Sequence, residues 1–140
     1  MKIYFAGSIR GGREHVKWYA EIVKLLKNYG KVLTEHVADA ELLEKDENLP
    51  VNHIFERDIE WIKGCSVLIA DVTTPSIGVG YEIARAELFN KPVLCLFYEG
   101  SGKMLSGMIE GNKYLKTGRY KSAEDIAGIL KKFFNSLNNG

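Results

Sequence analysis

The sequence predicts an α/β fold: one doubly wound domain over residues 1–140, with about five parallel strands and helices on both faces. Two observations carry this. Short apolar runs recur, and the run at Val93–Phe97 is nearly continuous, as in a strand buried on both faces. Between the runs stand segments with helical periodicity, at the spacing of right-handed strand–helix–strand units.

The elements follow in order. Lys2–Ala6 is a short buried strand. After the Gly-rich stretch 7–13, Val16, Ala20, Val23 and Leu26 recur at helical spacing, and Gly30 is placed to end that helix in a left-handed turn. Lys31–Thr34 is a second strand. Residues 35–51 read as polar and irregular, apart from a short turn around Ala40–Glu44. Asn52 can cap a helix running to Lys63, with Gly64 as its stop. Val67–Asp71 is the third strand, followed by a helix from Val79 to Asn90. Val93–Phe97 is the fourth strand. Met104–Ile109 is a short helix ended by Gly111, Lys113–Lys116 a weak edge strand, and Ser122 caps a last helix over Ala123–Leu137. Ile126, Ile129, Leu130 and Phe133 form its inner side. The whole is Rossmann-like or flavodoxin-like, and ligands of such folds sit at the carboxyl edge of the strands.

Two Gly-rich loops leave strands at that edge: Gly7-Ser8-Ile9-Arg10-Gly11-Gly12-Arg13, and Thr73-Thr74-Pro75-Ser76-Ile77-Gly78-Val79-Gly80. The second opens a helix. Its free N–H groups and positive end make an anion site, and glycine lets a phosphate approach the backbone. Arg10 adds a candidate bidentate phosphate partner, a solvated loop arginine being the plainer reading.

Two carboxylates stand where apolar side chains are expected. At about 100° per residue, Val51, Ile54, Phe55, Trp61 and Ile62 fall within about 60° of Asp58. A lone buried carboxylate costs several kcal/mol unless paired, hydrogen-bonded or protonated. Asp58 therefore serves chemistry, or else caps a loop or pairs with an arginine. Glu82 points between Phe89 and Ala86 in the first turn of its helix, where an acidic residue also suits the helix dipole. One ionised and one protonated carboxyl are the tools for cleaving a glycosidic bond through a covalent intermediate, with Glu82 as nucleophile and Asp58 as acid. Tyr4, two residues before the first Gly-rich loop, is within reach of Glu82 or is simply a packed strand residue.

Composition narrows the partners. A formal net charge of +1 gives no basic field for nucleic acid. Cys65 and Cys95 lie without a CxxC spacing and read as reduced, buried thiols of a cytoplasmic protein. His15, His36 and His53 lack metal-ligand spacing, so neither metal nor cofactor is expected. No signal peptide is read at the N-terminus, and no apolar run approaches the ~18 residues of a membrane span.

The segments Tyr4–Glu14, Leu33–Val37, Arg57–Trp61, Pro75–Glu82, Phe89–Lys91, Leu94–Phe97 and Leu105–Ile109 resemble, in this order, the signatures of the 2′-deoxynucleoside 5′-phosphate N-hydrolases, within the nucleoside 2-deoxyribosyltransferase superfamily. The resemblance implies hydrolysis of a deoxynucleoside monophosphate to a free base and 2-deoxyribose 5-phosphate. It implies Glu82 as nucleophile, Asp58 as the acid towards the base and Tyr4 as the residue orienting Glu82. It also implies a phosphate site from Gly7, Ser8, Ile9, Arg10, Gly11, Gly12 and Arg13 with Ser76 and Gly78. A homodimer is implied, in which Ser106, beside Gly107 and Met108, reaches the neighbouring subunit's site. The related transferases resemble this chain at Tyr4, Asp58 and Glu82 but carry an acidic residue where Ser76 stands, which would repel phosphate. The alternatives are that transferase, a non-catalytic nucleotide-binding module, and a phosphoribohydrolase of cytokinin-type nucleotides. The last carries a Gly-Gly-x-Gly-Thr loop, from which Gly78-Val79-Gly80-Tyr81-Glu82 departs. The positions of Asp71 and of the 39–50 segment, and the preferred base, are open at this stage.

Overall fold

β1, Lys2–Ala6, is paired in parallel along both edges, with β2 (Lys31–Val32) on one side and β3 (Val67–Asp71) on the other. β4 (Val93–Tyr98) and β5 (Lys116–Tyr120) extend the sheet in the order β2-β1-β3-β4-β5, every pairing parallel. The computed structural model describes residues 1–9 and 15–139, apart from the side chain of Glu47. The helices are α1 (Val16–Leu26), α2 (Ala40–Glu47), α3 (Val51–Gly64), α4 (Ile77–Leu88), α5 (Gly107–Glu110) and α6 (Ala123–Asn138). The doubly wound parallel sheet expected from the sequence is thus present.

Alternation along the strands sorts the core into two layers. Ile3, Phe5, Val67, Ile69, Leu94 and Leu96 pack against α1 and α6. Tyr4, Ala6, Leu68, Ala70, Val93 and Cys95 pack against α3 and α4. The chain passes from β1 out to β2, then returns across β1 to β3. Right-handed crossovers in opposite directions put α1 on one face and α3 and α4 on the other. The crevice at the carboxyl ends of β1 and β3 is the switch point where such folds bind ligands.

Several boundaries differ from the expectation, each for a local reason. β2 stops at Val32, because the Thr34 hydroxyl accepts from the Phe5 N–H at 2.8 Å and donates to the Phe5 carbonyl at 2.6 Å, replacing a strand rung. Residues 35–51 are not irregular: a 3₁₀ turn spans Glu35–Ala38, and α2 follows with Asp39 as its N-cap, accepting from the N–H groups of Glu41 and Leu42. α3 starts at Val51 rather than being capped by Asn52, since the Pro50 carbonyl accepts the first helical bond, from Ile54. α4 starts two residues early, with Ser76 Oγ accepting from the Val79 N–H at 3.3 Å. α5 is confined to Gly107–Glu110, capped by Ser106. The edge strand lies at Lys116–Tyr120, after a turn in which Asn112 Oδ1 accepts from the Tyr114 N–H. On α1, Tyr19 and Ile22 are buried while Ala20 is exposed. Gly30 is not in the left-handed region; a side chain there would meet the Met1 carbonyl oxygen at 2.4 Å, so a close backbone approach explains the glycine.

Among the described residues no helix is long and apolar enough to cross a membrane. Asp71 lies on the α1/α6 side of the sheet, fully buried, accepting from the Tyr120 O–H at 2.6 Å and the Thr73 N–H at 3.0 Å. Tyr120→Phe should cost about 1–3 kcal/mol, since it removes a donor from a buried acceptor; urea denaturation of the two proteins at neutral pH measures this.

Candidate active site

Parity places Tyr4 on the α3/α4 side of β1, although it is a tyrosine buried to 1% exposure. Its phenol reaches across to α4 and donates a hydrogen bond to Oε2 of Glu82. Glu82 is carried one turn into α4, on the side of the helix that also presents Val79, Ile83 and Ala86 to the sheet. Asp58, on α3, is close enough to act electrostatically on both. The three side chains expected to do the chemistry therefore converge at the carboxyl end of β1 and β3.

The N-terminus of α4 adjoins them. A methyl group at Gly78 would lie 3.8 Å from Glu82 Oε1 and 3.9 Å from Ser76 Oγ. Gly78 leaves that space open, between the Ser76 hydroxyl and the glutamate. Ser76 Oγ takes the Val79 N–H, and the first-turn N–H groups of Ile77 and Gly78 have no place in the helical ladder. An anion seated there meets a helix dipole and backbone donors.

The first loop is less clear-cut. Ser8 is buried and its N–H donates to the Tyr19 hydroxyl at 3.1 Å. The α-carbon of Gly7 faces the Tyr19 ring and Val37, where a methyl would sit at 3.0–3.1 Å, so packing already demands a glycine. Ile9 leans against the α1/α6 core. Arg10, Gly11, Gly12 and Arg13 lie outside the described residues. Ser106, Gly107 and Met108 are exposed on α5, and no hydrogen bond joins Ser106 to Tyr4, Asp58 or Glu82 of its own chain.

Only part of the apolar stripe around Asp58 is core: Ile62 is buried and Trp61 packs against the same cluster. Val51 is 70% exposed and Phe55 50%, and on α3 only Ile62 is fully buried. Asp58 also has the arginine partner that the sequence left open: Nε and Nη2 of Arg57 donate to its Oδ1 at 3.0 and 2.8 Å. Arg57 in turn donates through Nη1 to Asp46 of α2 and lies over Trp61, 4.5 Å from the ring centroid. Asp46 lies 3.5 Å from Nε2 of His36. Arg57 and Asp46 were missed by sequence reasoning. The Arg57/Trp61 spacing of one helical turn was the available signal. The 39–50 segment builds, through Leu42, Lys45, Asp46 and Leu49, one wall of a groove of about 480 Å³ that Lys31–Leu33, Glu35 and His36 complete. Neither Tyr4, Asp58 nor Glu82 lines it.

Burial pushes the Glu82 carboxyl up to about 7; the Tyr4 O–H opposes this and the Asp58 carboxylate adds to it. Burial likewise raises Asp58 above the ordinary carboxylate range, against the pull of Arg57. Burial and the Glu82 carboxylate hold Tyr4 protonated, so it stays a donor. Burial lowers His36. The site thus combines a carboxylate of tunable charge, a fixed phenol donor and a second carboxyl held by a cation.

The chain is similar to known proteins over most of its length. The family model of nucleoside 2-deoxyribosyltransferase matches residues 3–118. A Mus musculus protein named 5-hydroxymethyl-dUMP N-hydrolase is 54% identical over 139 residues, covering 96% of this chain and 80% of its own. One of the same name from Esox lucius is 46% identical over 143 residues, covering 98% of each. The solved Clostridium botulinum CMP N-glycosidase shares the fold with a TM-score of 0.63 at 18% identity, over 94% of this chain and 99% of that one.

A carboxyl raised from its ordinary 4.5 to about 7 favours the protonated folded state. Its contribution to stability is fully present below about pH 4.5 and is lost as pH rises through 7. Glu82→Gln, which keeps an acceptor for Tyr4, should therefore stabilise the protein at pH 8 by on the order of 3 kcal/mol, and little at pH 4.5. Thermal unfolding of both proteins across that range measures the difference.

Proposed function

The chain belongs to the nucleoside 2-deoxyribosyltransferase family, and from that premise we propose that it is a glycosidase hydrolysing the N-glycosidic bond of 2′-deoxynucleoside 5′-monophosphates. The observation that carries this is the Tyr4–Glu82 hydrogen bond set beside the open N-terminus of α4. A phosphate at Ser76 and Gly78 would put the sugar's anomeric carbon towards Glu82. The names of the relatives support a nucleotide substrate.

In the first step a Glu82 oxygen bonds to C1′ and the C1′–N bond breaks. Its electron pair goes to the base, which takes a proton from Asp58. In the second, a water oxygen bonds to C1′, the ester to Glu82 breaks, and Asp58 recovers a proton from the water. Tyr4 orients Glu82 and stabilises its ionised form. A 2-deoxy sugar suits the mechanism, since the missing hydroxyl eases the oxocarbenium-like state. The remaining phosphate contacts are assigned to Gly7, Ser8, Ile9, Arg10, Gly11, Gly12 and Arg13.

We also propose a homodimer in which Ser106, with Gly107 and Met108, completes the neighbouring site. Ile77 is 95% exposed, and it shares one stripe of α4 with the exposed residues Tyr81 and Leu88. Met104 and Met108 are equally bare on the segment around α5. Such apolar surface supports a partner. The free, buried Cys65 and Cys95 suit a cytoplasmic setting. The description of the matching family model favours, as a second reading, transfer of the deoxyribosyl group to another base.

Incubation with a panel of deoxy- and ribonucleoside monophosphates, with chromatography for released base, should show release from deoxynucleotides without an added acceptor base. No release from any deoxynucleotide overturns the reading, and release only with an acceptor base favours the transferase. Glu82→Ala should lower the rate by at least about a thousandfold with the fold intact, as expected when a covalent nucleophile is lost. Ser106→Trp should inactivate homodimers, while mixing it with the Glu82→Ala variant should restore part of the activity. Mixtures that regain nothing would rule out the shared site.

A further inference from the structure

Arg57 is the cation that the chemistry above leaves unused. Its Nε and Nη2 both donate to Oδ1 of Asp58, whereas a guanidinium fork commonly spans both oxygens of a carboxylate. Oδ2 of Asp58 has no hydrogen-bond partner among the described residues. The third donor, Nη1, holds Oδ1 of Asp46, and the guanidinium carbon lies over the Trp61 ring, 4.5 Å from its centroid. Arg57 is therefore held by two carboxylates and lies over an indole. The side chains of Arg57, Asp58 and Asp46 are only 17%, 23% and 9% exposed, so solvent screens the arrangement weakly.

We propose that Arg57 is a positioning residue for the deoxynucleotide cleavage inferred above, on which this step rests: it turns Asp58 so that Oδ2 alone faces the leaving base, and it sets how readily that oxygen holds a proton, with Asp46 as its tether on α2. The groups that act on Asp58 come from every element around it. Asp46 faces it from α2, His36 from the 3₁₀ turn, Tyr4 from β1 and Glu82 from α4, while Arg57 and Trp61 belong to its own helix. Arg57 is the one permanent cation among them. A guanidinium favours the ionised carboxylate, whereas the Asp46 and Glu82 carboxylates favour the protonated one. An acid that must carry a proton at the start of each turnover is thus set by a balance between Arg57 and two acidic neighbours.

Opposite signs make this testable. Arg57→Gln removes the charge, so the descending, alkaline limb of kcat/KM should move up by about one pH unit or more, and kcat at the optimum should fall about tenfold with the orientation. Arg57→Lys keeps the charge but not the fork, so the limb should stay near its original position while kcat falls. Asp46→Asn leaves Arg57 to Asp58 alone, and the limb should move down. Titration of the Asp58 carboxyl by 13C NMR in the substrate-free protein should show the same directions without any turnover. If neither the limb nor the Asp58 titration moves in Arg57→Gln, Arg57 is a structural salt-bridge partner and the inference is overturned. If the wild type releases no base but the NMR titration moves as stated, the cleavage reading fails while the control of Asp58 by Arg57 stands.

Discussion

The reversal of winding direction beside β1 is the constraint from which the rest follows. β1 comes first in the chain yet lies between β2 and β3, so the crossover from β1 to β2 and the one from β2 to β3 run in opposite directions along the sheet. Right-handedness then forces the two sets of helices onto opposite faces, and the loops at the carboxyl ends of β1 and β3 diverge. Tyr4 is where this topology meets chemistry. As an even-numbered residue of β1 it lies on the α3/α4 face, two residues from the crevice, and its phenol is the bridge from the sheet to Glu82.

Around that bridge the charges are arranged asymmetrically. Glu82 is met by a neutral donor, Tyr4, and by the Asp58 charge, and no cation among the described residues offsets its burial. Asp58 is met by a guanidinium that is itself divided between two carboxylates. Burial raises both carboxyls; the Tyr4 O–H favours the ionised form of Glu82, and Arg57 that of Asp58, so the two proposed roles rest on position and on the Tyr4 contact rather than on an order of proton affinities. α2 contributes to the surroundings of Asp58 from outside the crevice, through Asp46. The segment between β2 and α3 is therefore part of the electrostatics of the site as well as a wall of the neighbouring groove.

Much of this was legible in the residues. The strands with continuous apolar runs, β1, β3 and β4, stand essentially where the pattern put them, because burial on both faces leaves no other signal to compete. β5 was misplaced since Lys-Thr-Gly-Arg-Tyr is an edge strand held by its neighbour and by α6 rather than by apolar content. The shortening of β2 depends on one hydroxyl, Thr34, reaching a partner 29 residues away, which no local pattern records. Helix phase turned Asp58 and Glu82 inward and the place of Tyr4 before the first Gly-rich loop put it within reach; strand parity, seen in the structure, sets Tyr4 on the face of α4. The same parity also separates Asp71 from them, since Asp71 shares its face with Ile69. The stripe around Asp58 holds only in its second half, where Trp61 and Ile62 pack in the core; Val51 and Phe55 are apolar but exposed, and periodicity cannot tell a core from a bare surface. Arg57 and Asp46 meet only because α2 folds back onto α3.

That separation of Asp71 from Glu82 amounts to a partition. The sheet is an apolar layer one residue thick, with a buried acid on either side: one bonded to Tyr120 and Thr73, the other beside the candidate site. The two acids therefore share no hydrogen-bond partner. Residues on α3 and α4 can be exchanged without removing either partner of the clasp that Asp71 and Tyr120 form underneath.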